Sequence, residues 1–418
     1  MNLPRKLLIN DVQLSRATLA LLGFSVPIST LLDNVLLVAV LIFGLLGCGR
    51  DALRISYRNP VAQAALLLFG MLLVASCYGE TPFGKAFDVL GKYLDIAMIP
   101  LFMAIIRKEQ NRDSALNGFL LAMLLTMILS YLVYYGALNH QPWMWWQASV
   151  SSPAIFRHQL TQNTFMALAV FFALLRIRKA DTPPRIAFWC AFAVLGIFNV
   201  LFMVQGRTGY VTLAILSGWF AWTTLSRHLK ARGKNISFRH GIAVILVMAL
   251  SIVSVYLSSP RLQTRTDLIV DELRSWKPHA GNNTSVGIRM EFYYNTLHII
   301  RQNPVIGIGT GGLSAAYAEQ DKQFGLGSVD NPHNEYLMIS VQTGLIGLAL
   351  LLYFFHAQWR YAPLLDSAFR QDAARGLILA TMVDSLFNSP LLDHAPGLLF
   401  ALMSATFFAN LEANQKHA

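Results

Sequence analysis

Apolar stretches of about 18 to 22 residues recur along almost the whole chain, and a run of that length crosses the hydrocarbon core of a bilayer as one α-helix. No other feature restricts the fold so strongly. Of the 418 residues 55% are hydrophobic and 13% charged, a charged share about half that of a soluble domain. The pattern predicts an all-α polytopic membrane protein with about 12 transmembrane helices, near 13–30, 32–48, 60–78, 86–106, 115–136, 160–176, 186–204, 209–225, 240–258, 334–355, 372–389 and 396–412. The first run is too long, and lacks the small-residue site, for a cleaved signal peptide.

Charge sets the expected orientation. Most of the 33 lysines and arginines lie in alternate loops such as "GRDALRISYRNP", "RIRKADTPPR" and "SRHLKARGKNISFRH". The positive-inside rule makes that side cytoplasmic, together with both termini. The net charge of +11 is thus accounted for by topology and does not indicate nucleic acid. Residues 1–258 form the first nine spans, 259–333 one large loop on the opposite face, and 334–418 the last three spans.

On that external face, "QPWMWWQ" reads as an interfacial anchoring turn. The segment 286–302 places Ile288, Phe292, Ile299 and Ile300 on one helical face and Arg289, Tyr293 and Thr296 on another, as in an amphipathic helix lying on a membrane. A glycine-rich turn, "NPVIGIGTGGL", follows. Gly307, Gly309 and Gly312 satisfy G-x-G-x-x-G, but the strand, helix and distant acid of a dinucleotide site are missing. These glycines instead allow a tight turn or a close approach of backbone to a ligand. Cys48, Cys77 and Cys190 show neither metal spacing nor a disulfide framework. There is no D-x-D, no H-E-x-x-H and no G-x-S-x-G, so no metal and no cofactor is expected.

Four arginines run against the charge bias at external membrane boundaries: Arg157, Arg207, Arg265 and Arg289. Each alone is explained by snorkelling to membrane lipid phosphates. Together at one level they suit bidentate binding of a phosphate or diphosphate. His333 lies in "NPHNEYL", where Pro332 is expected to open a helix capped by Asn331. In a first helical turn the dipole favours neutral imidazole, which can act as a general base. Asn334 and Glu335 would orient it or bind hydroxyls, with Tyr293 in support; the alternative is a purely structural cap. Lys92 with Asp88 and Asp95 reads as an internal ion pair, and Asp384 and Asp393 stay open between structural and ligand roles.

The order of these pieces resembles the O-antigen ligase and polymerase superfamily of bacterial membrane glycosyltransferases. Arg289 opens a helix, Asn303 to Gly311 gives N-P-x-x-G-x-G-x-G, His333 to Leu337 gives H-N-x-Y-L, and Thr343, Gly344 and Gly347 close with T-G-x-x-G. The resemblance implies a C-type glycosyltransferase-like fold, an active site on the periplasmic face of the inner membrane, and a glycan donor on undecaprenyl diphosphate. In the ligase branch it implies lipid A–core oligosaccharide as acceptor. Polymerases extend the glycan on its carrier, and protein O-oligosaccharyltransferases use a protein hydroxyl and often carry a soluble C-terminal region, for which little chain remains after the last span. A transporter of lipid-linked glycans is the alternative of another class. Its two six-span halves would place a long linker internally at the centre, whereas the long loop here is external, between spans nine and ten.

Overall fold

The computed structural model describes residues 5–46, 48–107, 112–145, 147–235, 237–258, 260–279, 284–324 and 329–411. The basic tail, Lys108 and Trp146, used above in the charge and aromatic patterns, lie outside the described residues. Among the described residues no strand is present. The first half comprises α1 (Arg5–Ser25), α2 (Thr30–Leu46), α3 (Arg50–Arg58), α4 (Pro60–Ala75), α5 (Phe83–Lys92), α6 (Leu94–Ala97), α7 (Ile99–Ile106), α8 (Ser114–Tyr134) and α9 (Gln159–Lys179). The second comprises α10 (Pro183–Phe198) with a π-helical extension (Asn199–Met203), α11 (Arg207–Ala231), α12 (Phe238–Ser258), α13 (Pro260–Ser275), α14 (Ser285–Gln302), α15 (Leu313–Phe324), α16 (Glu335–Tyr361), α17 (Ala368–Asp384) and α18 (His394–Phe408).

Every expected span falls on helix, but not every helix is a full crossing. Four are long and apolar enough by length and composition: α8, α9, α10 with its extension, and α16 with the turn that follows it. A fifth exists if α3 and α4, bent by 76°, count as one span. The bend follows from Asn59-Pro60, since the residue before a proline is pushed out of the α region. Asn59 then caps α4 through Val61 N–H at 3.0 Å and donates to Phe408 O at 2.9 Å. The stretch expected as span four, 86–106, is broken into α5, α6 and α7. Pro100 cannot donate to the carbonyl of Ile96, and Tyr93 leaves the helical region at φ −90°, ψ 2°. Lys92 therefore ends one helix while Asp95 belongs to another. Asp95 is buried beside His394, with 3.6 Å between Oδ2 and Nδ1, in place of the expected pair with Lys92.

The first half of the glycine-rich turn, with Val305 and Ile306, is exposed, but its glycine half is buried. It threads between the end of α4 and the middle of α16. Ile308 N–H donates to Val341 O at 2.9 Å, Gly309 N–H to Gln342 O at 3.0 Å and Thr310 N–H to Ala75 O at 3.0 Å. In return α16 opens at Gly344 (φ 65°, ψ −161°), where Leu345 and Ile346 donate to Pro304 O and Val305 O at 2.8 and 3.3 Å. A Cβ on Gly344 would overlap the backbone of Val305. The glycines do turn tightly, with Gly312 N–H donating to Gly309 O at 3.2 Å and Gly307, Gly309 and Gly311 at positive φ; the backbone they approach is that of another helix and not a ligand.

Helix α14 packs on α16 with an unexpected face. Asn295, Thr296 and Ile299 are buried, while Ile288 stays partly exposed. The stripe carrying Arg289, Tyr293 and Thr296 thus turns toward the bundle, and this brings the polar side of α14 to the loop before α16.

Candidate active site

The loop 329–334 is built around two asparagines. Asn331 Oδ1 accepts from the His333 backbone N–H and from Ser389 Oγ, both at 2.8 Å. This turn puts His333 in the left-handed region at φ 54°, a conformation rare outside glycine and asparagine and stabilised here by its surroundings. The cap of α16 is Asn334, whose Oδ1 accepts from Leu337 N–H at 3.0 Å. His333 is accordingly not in the first turn of a helix opened by Pro332; it precedes the helix by two residues. The reason is that Asn331 already closes the turn, leaving Asn334 to satisfy the helix N-terminus.

The His333 ring stacks on Phe292, with centroids 6.2 Å apart and planes 23° apart. Burial lowers its pKa from the ordinary histidine value, and the charges of Arg289 and then His158 push in the same direction. Neutral imidazole is favoured by desolvation and a neighbouring guanidinium more than by a helix dipole. Tyr293 Oη, one turn along α14 from Arg289, lies 3.2 Å from His333 O and 3.0 Å from Leu386 O. Burial raises the Tyr293 pKa, so the hydroxyl keeps its proton as a donor. Asn334 Nδ2 also donates to Leu386 O, at 3.1 Å. Tyr293 and Asn334 hold the histidine loop against the turn after α17.

Arg289 is half-buried, and burial and the nearby charge of Arg207 lower its pKa. Among the described residues neither guanidinium has a carboxylate within ion-pair distance or a hydrogen-bond partner. Asp384, 7% exposed, lies within electrostatic reach of Arg289 but accepts from Asn388 Nδ2 at 2.6 Å. His158, at the start of α9, faces the same group, with its pKa lowered by burial and by Arg289. Arg207, Arg289, His158, His333, Tyr293 and Asp384 therefore form one constellation contributed by five segments of chain. Two guanidiniums with no ion-pair partner among the described residues, beside two neutral imidazoles, make a site for an anion next to a base.

Two expected members stand elsewhere. Arg157 is committed to the turn between α1 and α2. It donates to Val26 O at 3.1 and 2.7 Å, to Thr30 Oγ1, and to Asp33 Oδ2 at 2.7 Å. Asp33 is 0% exposed, so the arginine neutralises a buried carboxylate and is not available to a diphosphate. Glu335 is also 0% exposed. Its backbone N–H donates to Ser385 O and Asn388 O, and its carboxylate accepts from Tyr93 Oη at 3.1 Å and Leu391 N–H at 2.8 Å. It staples α16 to the turn before α18 and does not orient His333. The backbone of Arg265 lies in α13; its side chain is outside what is described.

His158 carries no signal in the sequence beyond its place beside Arg157. Asp384, open in the sequence between structural and ligand roles, stands within electrostatic reach of Arg289. Among the described residues there is no group of three or more His, Cys, Asp or Glu side chains placed to hold a metal ion.

Fold and site define an all-helical protein with membrane-length apolar helices and a cationic, histidine-bearing site at one end of the bundle. Residues 191–352 match the family model described as O-antigen ligase; the match supports a likeness to the O-antigen ligase superfamily, whose members are membrane glycosyltransferase-like enzymes. The matched segment contains Arg207, Arg289, the threaded glycine loop and His333. No curated protein matches the chain.

Proposed function

We propose that this protein is an O-antigen ligase of the bacterial inner membrane, crossing it about 12 times with its active site on the periplasmic face. It transfers O-antigen polysaccharide from undecaprenyl diphosphate to lipid A–core oligosaccharide. The observation that carries the reading is the juxtaposition of Arg207 and Arg289, each without a carboxylate partner, with the neutral, half-buried His333.

Diphosphate is a good leaving group, so the reaction needs cations on the departing oxygens and a base for the attacking hydroxyl. Arg289 and Arg207 hold the diphosphate and take up the charge it gains. His333 accepts the proton of the acceptor hydroxyl as that oxygen bonds to the anomeric carbon. The electron pair of the broken carbon–oxygen bond stays on the diphosphate. A single displacement inverts the anomeric centre. No step calls on a metal or cofactor. The ligase branch is preferred on overall resemblance; a polymerase would use the same site with a carrier-linked acceptor.

The test is transfer by purified protein supplied with carrier-linked glycan and lipid A–core. His333→Ala should fold normally and transfer roughly 10²–10⁴-fold more slowly, the span for a lost general base. Because the His333 pKa is lowered from its ordinary value, wild-type activity should be full at neutral pH. It should fall only as pH drops through that lowered pKa, where the base becomes protonated. His333→Ala should lack this step. A near-normal rate for folded His333→Ala would end the proposal, and product accumulating on the carrier would reassign the protein to the polymerase branch.

A further inference from the structure

His158 holds a position that neither a helix cap nor a surface histidine requires. Its Nδ1 accepts the N–H of Leu160 at 3.3 Å, which caps α9. A neutral imidazole that accepts at Nδ1 carries its proton on Nε2. Among the described residues Nε2 has no hydrogen-bond partner. The ring is braced edge-on by Trp145, with centroids 5.7 Å apart and planes 89° apart. The aromatic stretch that reads as an anchoring turn thus also fixes this imidazole. The ring lies within electrostatic reach of both Arg289 and His333, and burial with the Arg289 charge keeps it neutral.

We propose that His158 is a second histidine of the transfer site, a neutral Nε2–H donor to a nonbridging oxygen of the departing diphosphate. The assignment rests on the glycosyl-transfer reading given above. A group whose outward nitrogen already bears hydrogen cannot take a proton from the acceptor hydroxyl there. Its complement is an oxygen that only accepts and that gains charge as the bond breaks, and phosphate oxygens beside Arg289 meet both conditions. His158 neither gains nor loses a proton through the step. The acceptor proton goes to His333, the new bond joins the acceptor oxygen to the anomeric carbon, and the electron pair of the old bond leaves with the diphosphate. The two neutral histidines then divide the work: one accepts a proton, the other donates a hydrogen bond.

Two amides separate this role from that of a cap. Asparagine reproduces the position of Nδ1 and is a preferred N-cap; glutamine reproduces the position of Nε2 but caps poorly. Both variants are compared with wild type for thermal melting and for kcat and KM toward carrier-linked glycan. The proposal expects His158→Asn to melt like wild type yet lose roughly 10- to 100-fold, the range for one hydrogen bond to a charged group. The loss should fall mainly on kcat, because the bond strengthens as charge develops. His158→Gln should recover part of that loss despite a lower melting point. Wild-type transfer by His158→Asn, or equal loss in two well-folded variants, would overturn the assignment. If His158→Gln does not fold, the rate of His158→Asn alone decides, since a cap reading requires it to be normal. His333→Ala assayed in parallel keeps the two ideas apart: normal transfer by that variant removes the glycosyl-transfer reading itself, whereas slow His333→Ala beside normal His158→Asn removes only the role of His158.

Discussion

Gly344→Ala should disable the protein without touching any group in the site. Gly344 stands at φ 65°, ψ −161°, a region open essentially to glycine alone, and forcing another residue there costs about 1–3 kcal/mol. The new Cβ would also overlap the Val305 carbonyl and crowd Ile306 N. These are backbone atoms, so no side-chain rotation relieves the clash and the glycine loop must move away. Movement breaks the nearest ties, Leu345 N–H to Pro304 O and Ile346 N–H to Val305 O, each worth roughly 1 kcal/mol net. The sum is about 3–5 kcal/mol, enough to melt a local unit of a marginally stable protein. The loop joins α14, which carries Arg289, to the segment that leads to His333, so its displacement separates cation from base. Melting in detergent and transfer activity should both fall in Gly344→Ala. Gly70→Ala is the control: Gly70 is helical and an added Cβ meets nothing within 4 Å, so melting should stay level or rise slightly. A Gly344→Ala protein that melts and transfers like wild type would refute the threaded-loop argument.

Arg289→Lys should lose most transfer at normal expression although charge is kept, because an ammonium lacks the planar fork; full activity would reduce Arg289 to a lipid contact. Arg157→Ala should destabilise the fold by up to about 3–5 kcal/mol, the usual effect of breaking a buried ion pair, softened because Ser25 Oγ still donates to Asp33 at 2.7 Å and His394 lies 4.0 Å away. Adding Asp33→Ala should restore melting and specific activity, and persistent inactivity of that stable double variant would return Arg157 to the site. Single cysteines at Ser285 and Ser367 in a Cys-free background should react oppositely with an impermeant maleimide in cells with a permeabilised outer membrane. Labelling at position 285 is expected, and labelling at 367 alone would reverse the proposed orientation.

Long-range pairing explains why two of the expected site residues stand apart from the site. Arg157 draws attention because it runs against the charge bias at an external boundary, and Glu335 because it lies two residues from His333. Their partners, Asp33 and the Tyr93–Leu391 pair, are remote in sequence, and no local pattern announces them. Lys92 failed for a related reason. Helical spacing relates Lys92 to Asp95 only if the helix is continuous, and Tyr93 interrupts it.

By itself the sequence determined what local chemistry controls. Apolar runs must become helices wherever water is excluded, since no other local structure satisfies every backbone group. The run of glycines announced a tight turn, and Gly307 and Gly309 do take positive φ; the motifs at Arg289, Asn303–Gly311, His333–Leu337 and Gly344 with Gly347 carried the family resemblance. Tertiary structure decided which of these groups meet. Threading the glycine loop through an opened α16, turning the polar face of α14 inward, and bracing His158 with Trp145 bring five separate segments to one place. Contacts of that kind depend on how helix ends pack against loops tens to hundreds of residues away, and burial then sets which arginine stays free and which histidine stays neutral.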